Sequence, residues 1–207
     1  MSDLVIKAEV SPSELREHLL LNAYLKRPTM VWGPPAIGKS DIMRSVAEEL
    51  GATYMDFRAL LYESVDIKGI PAIRDNQAVW YTPDFLPPSD STDSYLINIE
   101  ELPAAFLSVQ TALYQLVLDR KVGTQYTLPE KAIVFACGNR GEDGGMFHAM
   151  PPALRSRFAH FCLAPNLDDW IGWAIDHDMP TELLFFLHHK PAPNTPCLLY
   201  TSDAADE

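Results

Sequence analysis

Short apolar segments alternate along the chain with longer segments whose apolar residues recur every three or four positions. The short segments have the length and composition of buried strands, and the longer ones have the spacing of amphipathic helices. Strands are predicted at 29–32, 53–57, 95–99, 132–136 and 160–163. Helices are predicted at 12–26, 39–50, 104–118, 151–158, 168–177 and 181–188. A hairpin is predicted at 72–81, and a turn or a hairpin at 122–128. Strands that alternate with helices predict a mainly parallel sheet covered on both faces, with ligands at the carboxyl ends of its strands.

The strongest chemical signal follows the first predicted strand. Residues 33–40, GPPAIGKS, match the phosphate-binding pattern GxxxxGK[ST] between a strand and a helix, as that pattern requires. In such a loop, backbone N–H groups face the phosphates, Lys39 supplies positive charge and Ser40 ligates Mg²⁺. A chance match in a Gly/Pro-rich turn is the alternative, and the flanking strand and helix argue against it. The candidate nucleotide-binding residues are Gly33, Pro34, Pro35, Ala36, Ile37, Gly38, Lys39, Ser40 and Asp41.

Two acidic residues, Glu100 and Glu101, follow the apolar strand at 95–99. Hydrolysis of a nucleotide needs a carboxylate near the metal and a group that activates water. Glu100 is the candidate for the metal and Glu101 the candidate general base. The alternative is a pair of solvated glutamates at the start of the next helix, where acidic residues are favoured.

Three further polar residues, later in the chain, are candidates for the catalytic site. Asn139 comes directly after the strand at 132–136 and could orient the attacking water, although Gly-Asn-Arg on its own is more often a simple turn. Arg157, with Arg155 as a second choice, could reach the γ-phosphate of a neighbouring subunit as an arginine finger. From the residues alone, a solvated arginine pair on a short helix is the better interpretation.

Composition and charge narrow the class of protein. The chain has 207 residues, is 47% hydrophobic and carries a net charge of −12, which suits a globular protein and argues against a broad nucleic-acid surface. No stretch has the length of a membrane-spanning helix, and the start lacks the features of a signal peptide, so a cytoplasmic location is the default expectation. Its three cysteines have no metal-binding or redox spacing.

Several motifs in order resemble an AAA+ ATPase of the MoxR-like group. The resemblance covers roughly residues 10 to 190. The matching segments are GPPAIGKS at 33–40, VDIKGIP at 65–71, LINIEELPAAFLSVQTALYQLVLDRKVG at 96–123, ACGNR at 136–140, MPPALRSRF at 150–158 and the stretch at 168–187.

The resemblance implies a P-loop NTPase fold of three αβα layers, with a five-stranded parallel sheet in the order 5-1-4-3-2 and a helical lid. It implies that Lys39 and Ser40 form the Walker A pair, Glu100 and Glu101 form Walker B, and Asn139 is sensor 1, with Arg157 (or Arg155) as the finger. ATP and Mg²⁺ are the implied substrate and metal.

The resemblance also implies how such a protein works. Members of the group assemble into rings, usually hexamers, act as chaperone-like remodellers of a protein client, and often have a von Willebrand factor A domain partner. A nucleotide-dependent switch or assembly module with little hydrolysis is the second hypothesis, and a nucleic-acid motor or loader is the third. The acidic balance of the chain counts against the third.

Three features depart from the family pattern. Glu100 stands where Walker B usually has Asp, which changes the reach of the metal carboxylate. Ala36 stands where many relatives have Gly, a replacement that matters little if its φ is negative. No candidate for the sensor 2 arginine occurs before Pro196.

The sequence divides into three parts. Residues 1–165 are predicted to form the nucleotide-binding α/β domain, and residues 166–196 part of the helical lid. Residues 197–207, CLLYTSDAADE, resemble a translated sequencing adapter and are expected to be a non-native tail, beyond which the natural sequence would continue.

Overall fold

A parallel sheet organises the fold. The computed structural model describes residues 9–123, 126–143 and 146–189. The strands are β1 (Glu9–Val10), β2 (Thr29–Trp32), β3 (Thr53–Arg58), β4 (Ile70–Arg74), β5 (Gln77–Tyr81), β6 (Tyr95–Glu100), β7 (Lys121–Val122), β8 (Tyr126–Thr127), β9 (Ala132–Gly138) and β10 (Ala159–Leu163). The helices are α1 (Pro12–Tyr24), α2 (Lys39–Glu49), α3 (Ser64–Lys68), α4 (Leu107–Asp119), α5 (Pro152–Arg155), α6 (Leu167–Asp176) and α7 (Thr181–His189).

Within the described residues the main sheet has six strands in the order β1-β10-β2-β9-β6-β3, and every pairing in it is parallel. Without β1 this is the predicted five-stranded order 5-1-4-3-2, so the predicted fold class is confirmed. The additional strand β1 extends the edge beside β10. A two-residue strand carries no alternation of apolar and polar positions, so the sequence pattern does not detect it.

The sheet is covered on both faces, which makes three layers. Successive residues of a strand face opposite sides, and Met30 and Val31 accordingly belong to different core clusters. One cluster places α1 and α2 against the sheet, and the other places α4 against the opposite face. Every residue of β9 is buried, as expected for a central strand of a parallel sheet.

The first helix begins where the sequence predicts. Ser11 is its N-cap, and its side chain and that of Glu14 form the reciprocal hydrogen bonds of a capping box. The predicted hairpin at 72–81 is also present, as β4 and β5. Its two turn residues, Asp75 and Asn76, have φ of 51° and 62°, as a tight two-residue hairpin turn requires. The hairpin at 122–128 is present as the antiparallel pair β7 and β8.

Two helix boundaries differ from the prediction. The helix expected at 104–118 begins only at Leu107, because residues 102–104 form a 3₁₀ turn and Ala105 is extended. The helix expected at 151–158 is confined to α5, since Phe158 turns into the core and the next residue already pairs with β2. In both places tertiary packing overrides helical periodicity.

Helices α6 and α7, which lie in the predicted lid, follow the last strand of the sheet. Asn166 caps α6, and Asp169 in its first turn accepts a hydrogen bond of 2.9 Å from the backbone N–H of Ser13. This bond ties the start of the predicted lid to the start of α1.

Residues 190–196 of the predicted lid and the tail at 197–207 lie outside the described residues. Among the described helices, none has both the length and the apolar character needed to cross a membrane.

Candidate nucleotide site

The predicted site residues meet at the carboxyl ends of three neighbouring strands. β2, β9 and β6 lie side by side. The loop at 33–38 leaves β2, Asn139 follows β9, and Glu100 and Glu101 end β6 and follow it. The loop is bound to β9 directly, because the N–H of Gly33 donates to the carbonyl of Gly138 at 3.3 Å. Residues far apart in sequence are therefore collected at one edge of the sheet, as the parallel topology predicts.

Lys39 is the centre of this edge. It is 9% exposed, and its ammonium donates to the carbonyls of Gly33 and Pro34 at 2.9 and 2.7 Å and to Oδ1 of Asn139 at 3.2 Å. An ammonium has three donors, so all three are used. Burial lowers the pKa of Lys39, and nearby carboxylates such as Glu100 act in the opposite direction. The ammonium is held in place without a direct carboxylate partner, which leaves its charge available to an anionic ligand.

The helix after the loop presents its N-terminus to the site. Gly38 is the N-cap of α2 with φ of 88°, a left-handed conformation that glycine adopts without strain. Ser40 and Asp41 lie in the first turn, and the Asp41 side chain is exposed. Pro35 and Ala36 are exposed at the outer surface of the loop, whereas Ile37 is buried beneath it. The loop is thus held to the core by one buried apolar side chain, while its outer surface is open to solvent.

The conformation of Ala36 differs from the one in which this departure from Gly would matter little. Its φ is +58°, so Ala36 occupies the left-handed region where a Cβ is unfavourable. The condition of a negative φ is not met, because the chain has to reverse within the short loop between β2 and α2. Ala36 therefore stores strain in the loop that a glycine would not.

Ala36→Gly is expected to stabilise the folded protein by about 0.5–1 kcal/mol, since the relieved strain exceeds the entropy that glycine adds to the unfolded chain. Thermal unfolding should shift upward by roughly 2–4 °C per kcal/mol in a protein of this size. The matched control is Ala153→Gly, in the exposed part of the helical segment α5, which should lower stability by about 0.5–1 kcal/mol. A lower melting temperature for Ala36→Gly would contradict the interpretation of strain.

Glu100 is held by two hydrogen bonds from the sheet. Its Oε1 accepts from Nδ2 of Asn98 at 2.7 Å, and its Oε2 accepts from the thiol of Cys137 at 3.0 Å. Burial and the adjacent Glu100 carboxylate raise the pKa of Cys137, so the thiol stays protonated and donates.

Asn98 also donates to the hydroxyl of Tyr54 at 2.9 Å, and the guanidinium of Arg44 lies 4.6 Å from the centre of that ring. The sequence around Asn98 contains no signal for these contacts, which depend on how the strands pair.

Glu101 has a strained backbone. Its φ of 53° places it in the left-handed region at the start of the 3₁₀ turn 102–104. Such strain in a residue other than glycine is unusual and is found preferentially at functional sites. The next turn is packed closely against β9: a Cβ on Gly138 would lie 2.3 Å from Cδ of Pro103. Gly138 thus allows the close approach that sets the position of Glu101, a role that the sequence analysis missed.

A salt bridge follows Asn139. Arg140 donates to the carboxylate of Asp143 through Nε at 2.9 Å and Nη2 at 2.7 Å, and through its backbone N–H at 2.9 Å. Burial raises the pKa of Asp143, but these hydrogen bonds outweigh it and leave the pKa below its ordinary value. The pair holds the turn that carries Asn139. The spacing of Arg140 and Asp143, three residues apart, is the only signal in the sequence that could have indicated it.

Among the described residues, no hydrogen bond or ion pair joins either candidate finger to this cluster. Arg157 is exposed, and among the described residues no hydrogen bond or ion pair holds its guanidinium. The carbonyl of Arg155 contacts Nε2 of His160 at 2.7 Å, and Nδ1 of His160 accepts from Nε1 of Trp32 at 2.9 Å. Since a carbonyl only accepts, the His160 proton is on Nε2. This chain of hydrogen bonds connects α5 to the last residue before the loop.

Ser40 and Glu100 are the residues that could hold Mg²⁺. Their hydroxyl and carboxylate oxygens are the donors that this ion prefers, and each Glu100 oxygen retains a lone pair beyond its single hydrogen bond. Among the described residues no group of three or more His, Cys, Asp and Glu could hold a metal. Mg²⁺ does not need such a group, because it typically binds one or two carboxylates together with substrate phosphates and waters. The residues present therefore fit this metal.

Several solved structures are similar in fold to this chain. A crystal structure of a proposed ATPase from Cytophaga hutchinsonii has a TM-score of 0.57 and 16% identity, and the match covers 90% of this chain and 52% of that one. RuvB from Thermotoga maritima, an alanine-to-serine variant, has a TM-score of 0.54 and 16% identity, covering 80% and 50%. NtrX from Brucella abortus in complex with ADP has a TM-score of 0.53 and 13% identity, covering 80% and 39%.

These likenesses show that the chain has the fold of the AAA+ and P-loop ATPases. The chain spans about half of the length of the first and second of these structures, and less of the third. No protein-family model and no curated protein matches the chain.

Proposed function

We propose that this chain is the nucleotide-binding part of an AAA+ ATPase that binds and hydrolyses ATP. The observation that carries the proposal is the contact between Lys39 and Asn139: 100 residues apart in sequence, their polar ends lie 3.2 Å apart at the carboxyl edge of the sheet. A phosphate-loop lysine beside a polar amide is an arrangement suited to a γ-phosphate and its attacking water. The ADP bound to the NtrX neighbour supports a nucleotide as the ligand here.

Each residue then has one role. Lys39 and the N–H groups of the loop bind the phosphates. Ser40 and Glu100 would hold Mg²⁺, which would supply charge neutralisation for the phosphate oxygens. Glu101 accepts a proton from the attacking water, while Asn139 orients that water. Arg157 of one subunit stabilises the charge that develops on the γ-phosphate bound by its neighbour.

We further propose the MoxR-like group as the closer relationship. In this proposal the subunits form a ring, usually of six, that remodels a protein client together with a von Willebrand factor A domain protein. Residues 1–165 form the nucleotide-binding domain and residues 166–196 the start of the lid. Support for assembly comes from Arg157, which is exposed and has no partner among the described residues. A finger that acts on a neighbouring subunit requires such an arginine.

A second candidate function is a nucleotide-dependent switch with little hydrolysis. The observation that favours it is the state of Glu100, because both of its carboxylate oxygens already accept hydrogen bonds from the protein. A carboxylate that accepts two hydrogen bonds from the protein has fewer lone pairs left to bind a metal ion. The two functions differ in turnover and not in nucleotide binding.

Binding of a fluorescent ATP analogue to the full-length gene product tests the proposal. Lys39→Ala is expected to weaken binding by roughly 10- to 150-fold, the loss of about 1.5–3 kcal/mol that removal of a charged hydrogen-bonding partner causes. The matched control is Lys131→Ala, since Lys131 is exposed just before β9, at the opposite end of the sheet. Equal binding by wild type and Lys39→Ala, or no binding by wild type, would overturn the proposed site.

A further inference from the structure

The thiol of Cys137 contacts the first of the two candidate Walker B glutamates. Cys137 is 1% exposed in the central strand β9. It donates to Oε2 of Glu100 with 3.0 Å between sulfur and oxygen. This hydrogen bond joins the central strand β9 to the last residue of β6.

Asn98 holds the other oxygen of the same carboxylate. It lies two residues before Glu100 on β6, so both side chains project from the same face of the strand. Its Nδ2 donates to Oε1 of Glu100 at 2.7 Å, while its Oδ1 is buried without a hydrogen-bond partner. Reversing the amide would place Oδ1 against the carboxylate, an oxygen against an oxygen. The presence of Glu100 therefore determines the orientation of Asn98, at the cost of an unpaired carbonyl.

These contacts bear on the departure from the usual Walker B pattern. Glutamate has one methylene and one rotatable bond more than aspartate, so an unrestrained Glu100 would reach several positions. Donors on β6 and β9 hold its two oxygens in one position, and each oxygen keeps a lone pair for the metal or its waters. Groups that orient a metal ligand in this way contribute strongly to metal affinity.

We propose that Cys137 is a positioning residue that, together with Asn98, holds Glu100 in place for the metal of the nucleotide site. The inference rests on the proposed function, because it assumes that Glu100 serves a metal bound with nucleotide. It goes beyond that function by assigning a role to a buried thiol that has none in the proposed mechanism.

The test measures Mn²⁺ affinity in the presence of ADP by electron paramagnetic resonance, which does not depend on turnover. Cys137→Ala should weaken Mn²⁺ binding by about tenfold, the lower range for removal of a group that orients a metal ligand. Cys137→Val, which fills the volume without a donor, should do the same. Cys137→Ser retains a donor and should stay within about threefold of wild type.

Cys162→Ala is the matched control. Cys162 is a second buried cysteine, 4% exposed in β10, and it does not contact Glu100. Its removal leaves a cavity of similar size in the core on the other face of the sheet, so it should lower thermal stability without changing Mn²⁺ affinity. Equal loss of Mn²⁺ affinity in Cys162→Ala and Cys137→Ala would assign the effect to general loosening and overturn the inference.

A double substitution shows whether Cys137 acts through Glu100. In a Glu100→Gln background, Cys137→Ala should change Mn²⁺ affinity by less than about twofold, since the carboxylate that it positions is absent. A full tenfold effect in that background, or wild-type affinity in Cys137→Ala and Cys137→Val, would refute the role. If wild type binds no Mn²⁺ with ADP, the proposed function itself fails, and the inference fails with it.

Discussion

Replacement of Glu101 by Gln is expected to lower the steady-state rate of ATP hydrolysis by roughly a hundredfold or more while ATP binding is retained, as is typical when a general base is lost. Glutamine has the same length and shape as glutamate but cannot accept a proton from water. Because Glu101 has φ of 53°, a substitution that keeps the side-chain size also keeps the backbone cost nearly constant. The loss of rate then reports chemistry and not a change of fold.

The measurement compares turnover and analogue binding for the full-length protein and its variants. Glu130→Gln is the matched control, because the Glu130 side chain is 92% exposed just before β9, at the end of the sheet away from the site. It should hydrolyse ATP at the wild-type rate. If wild type and Glu101→Gln both bind ATP and neither turns it over at any protein concentration, the switch is the correct function. Wild-type turnover by Glu101→Gln would remove Glu101 from the mechanism.

Arg157→Ala is expected to lower turnover by roughly 10³- to 10⁵-fold under conditions in which subunits assemble, the range observed for loss of an arginine finger. The exposed guanidinium is free to enter a neighbouring site, so its removal should leave nucleotide binding to the isolated subunit and the melting temperature nearly unchanged. Arg155→Ala is the control two residues away. The hydrogen bond of Arg155 to His160 uses its backbone carbonyl, which alanine retains, so turnover should fall by no more than a few-fold.

Mixing the two inactive variants tests whether Arg157 acts across an interface. A subunit with Arg157→Ala keeps Glu101, and a subunit with Glu101→Gln keeps Arg157, so an interface between them in one orientation has a complete site. Random mixing in equal amounts should make about a quarter of the interfaces active in a closed ring. An intact rate for Arg157→Ala alone would exclude an arginine finger at this position, and inactive variants that recover no turnover in mixed rings would exclude action across an interface.

The local pattern of residues predicted much of the fold, and its errors have a common cause. The loop at 33–40, the strand before it and the helix after it were readable because their signals lie within a few residues of one another. The start of α4 was placed three residues early, since the sequence around Pro103 keeps helical periodicity although packing against Gly138 holds a 3₁₀ turn there. The left-handed conformation of Ala36 was likewise invisible, because an alanine carries no signal for a positive φ.

By itself, the sequence determined most of the segments that form strands and helices, and which polar residues lie at the carboxyl edge of the sheet. Only the tertiary structure decided how those residues meet. The bond between Cys137 and Glu100 joins residues 37 apart, and that between Lys39 and Asn139 joins residues 100 apart. Both depend on which strands are neighbours and on their register, which are set by long-range packing of the whole sheet. A pattern of neighbouring residues contains no information on that register. The hydrogen bonds to Glu100 from Asn98 and Cys137 therefore become visible only once the strands are paired.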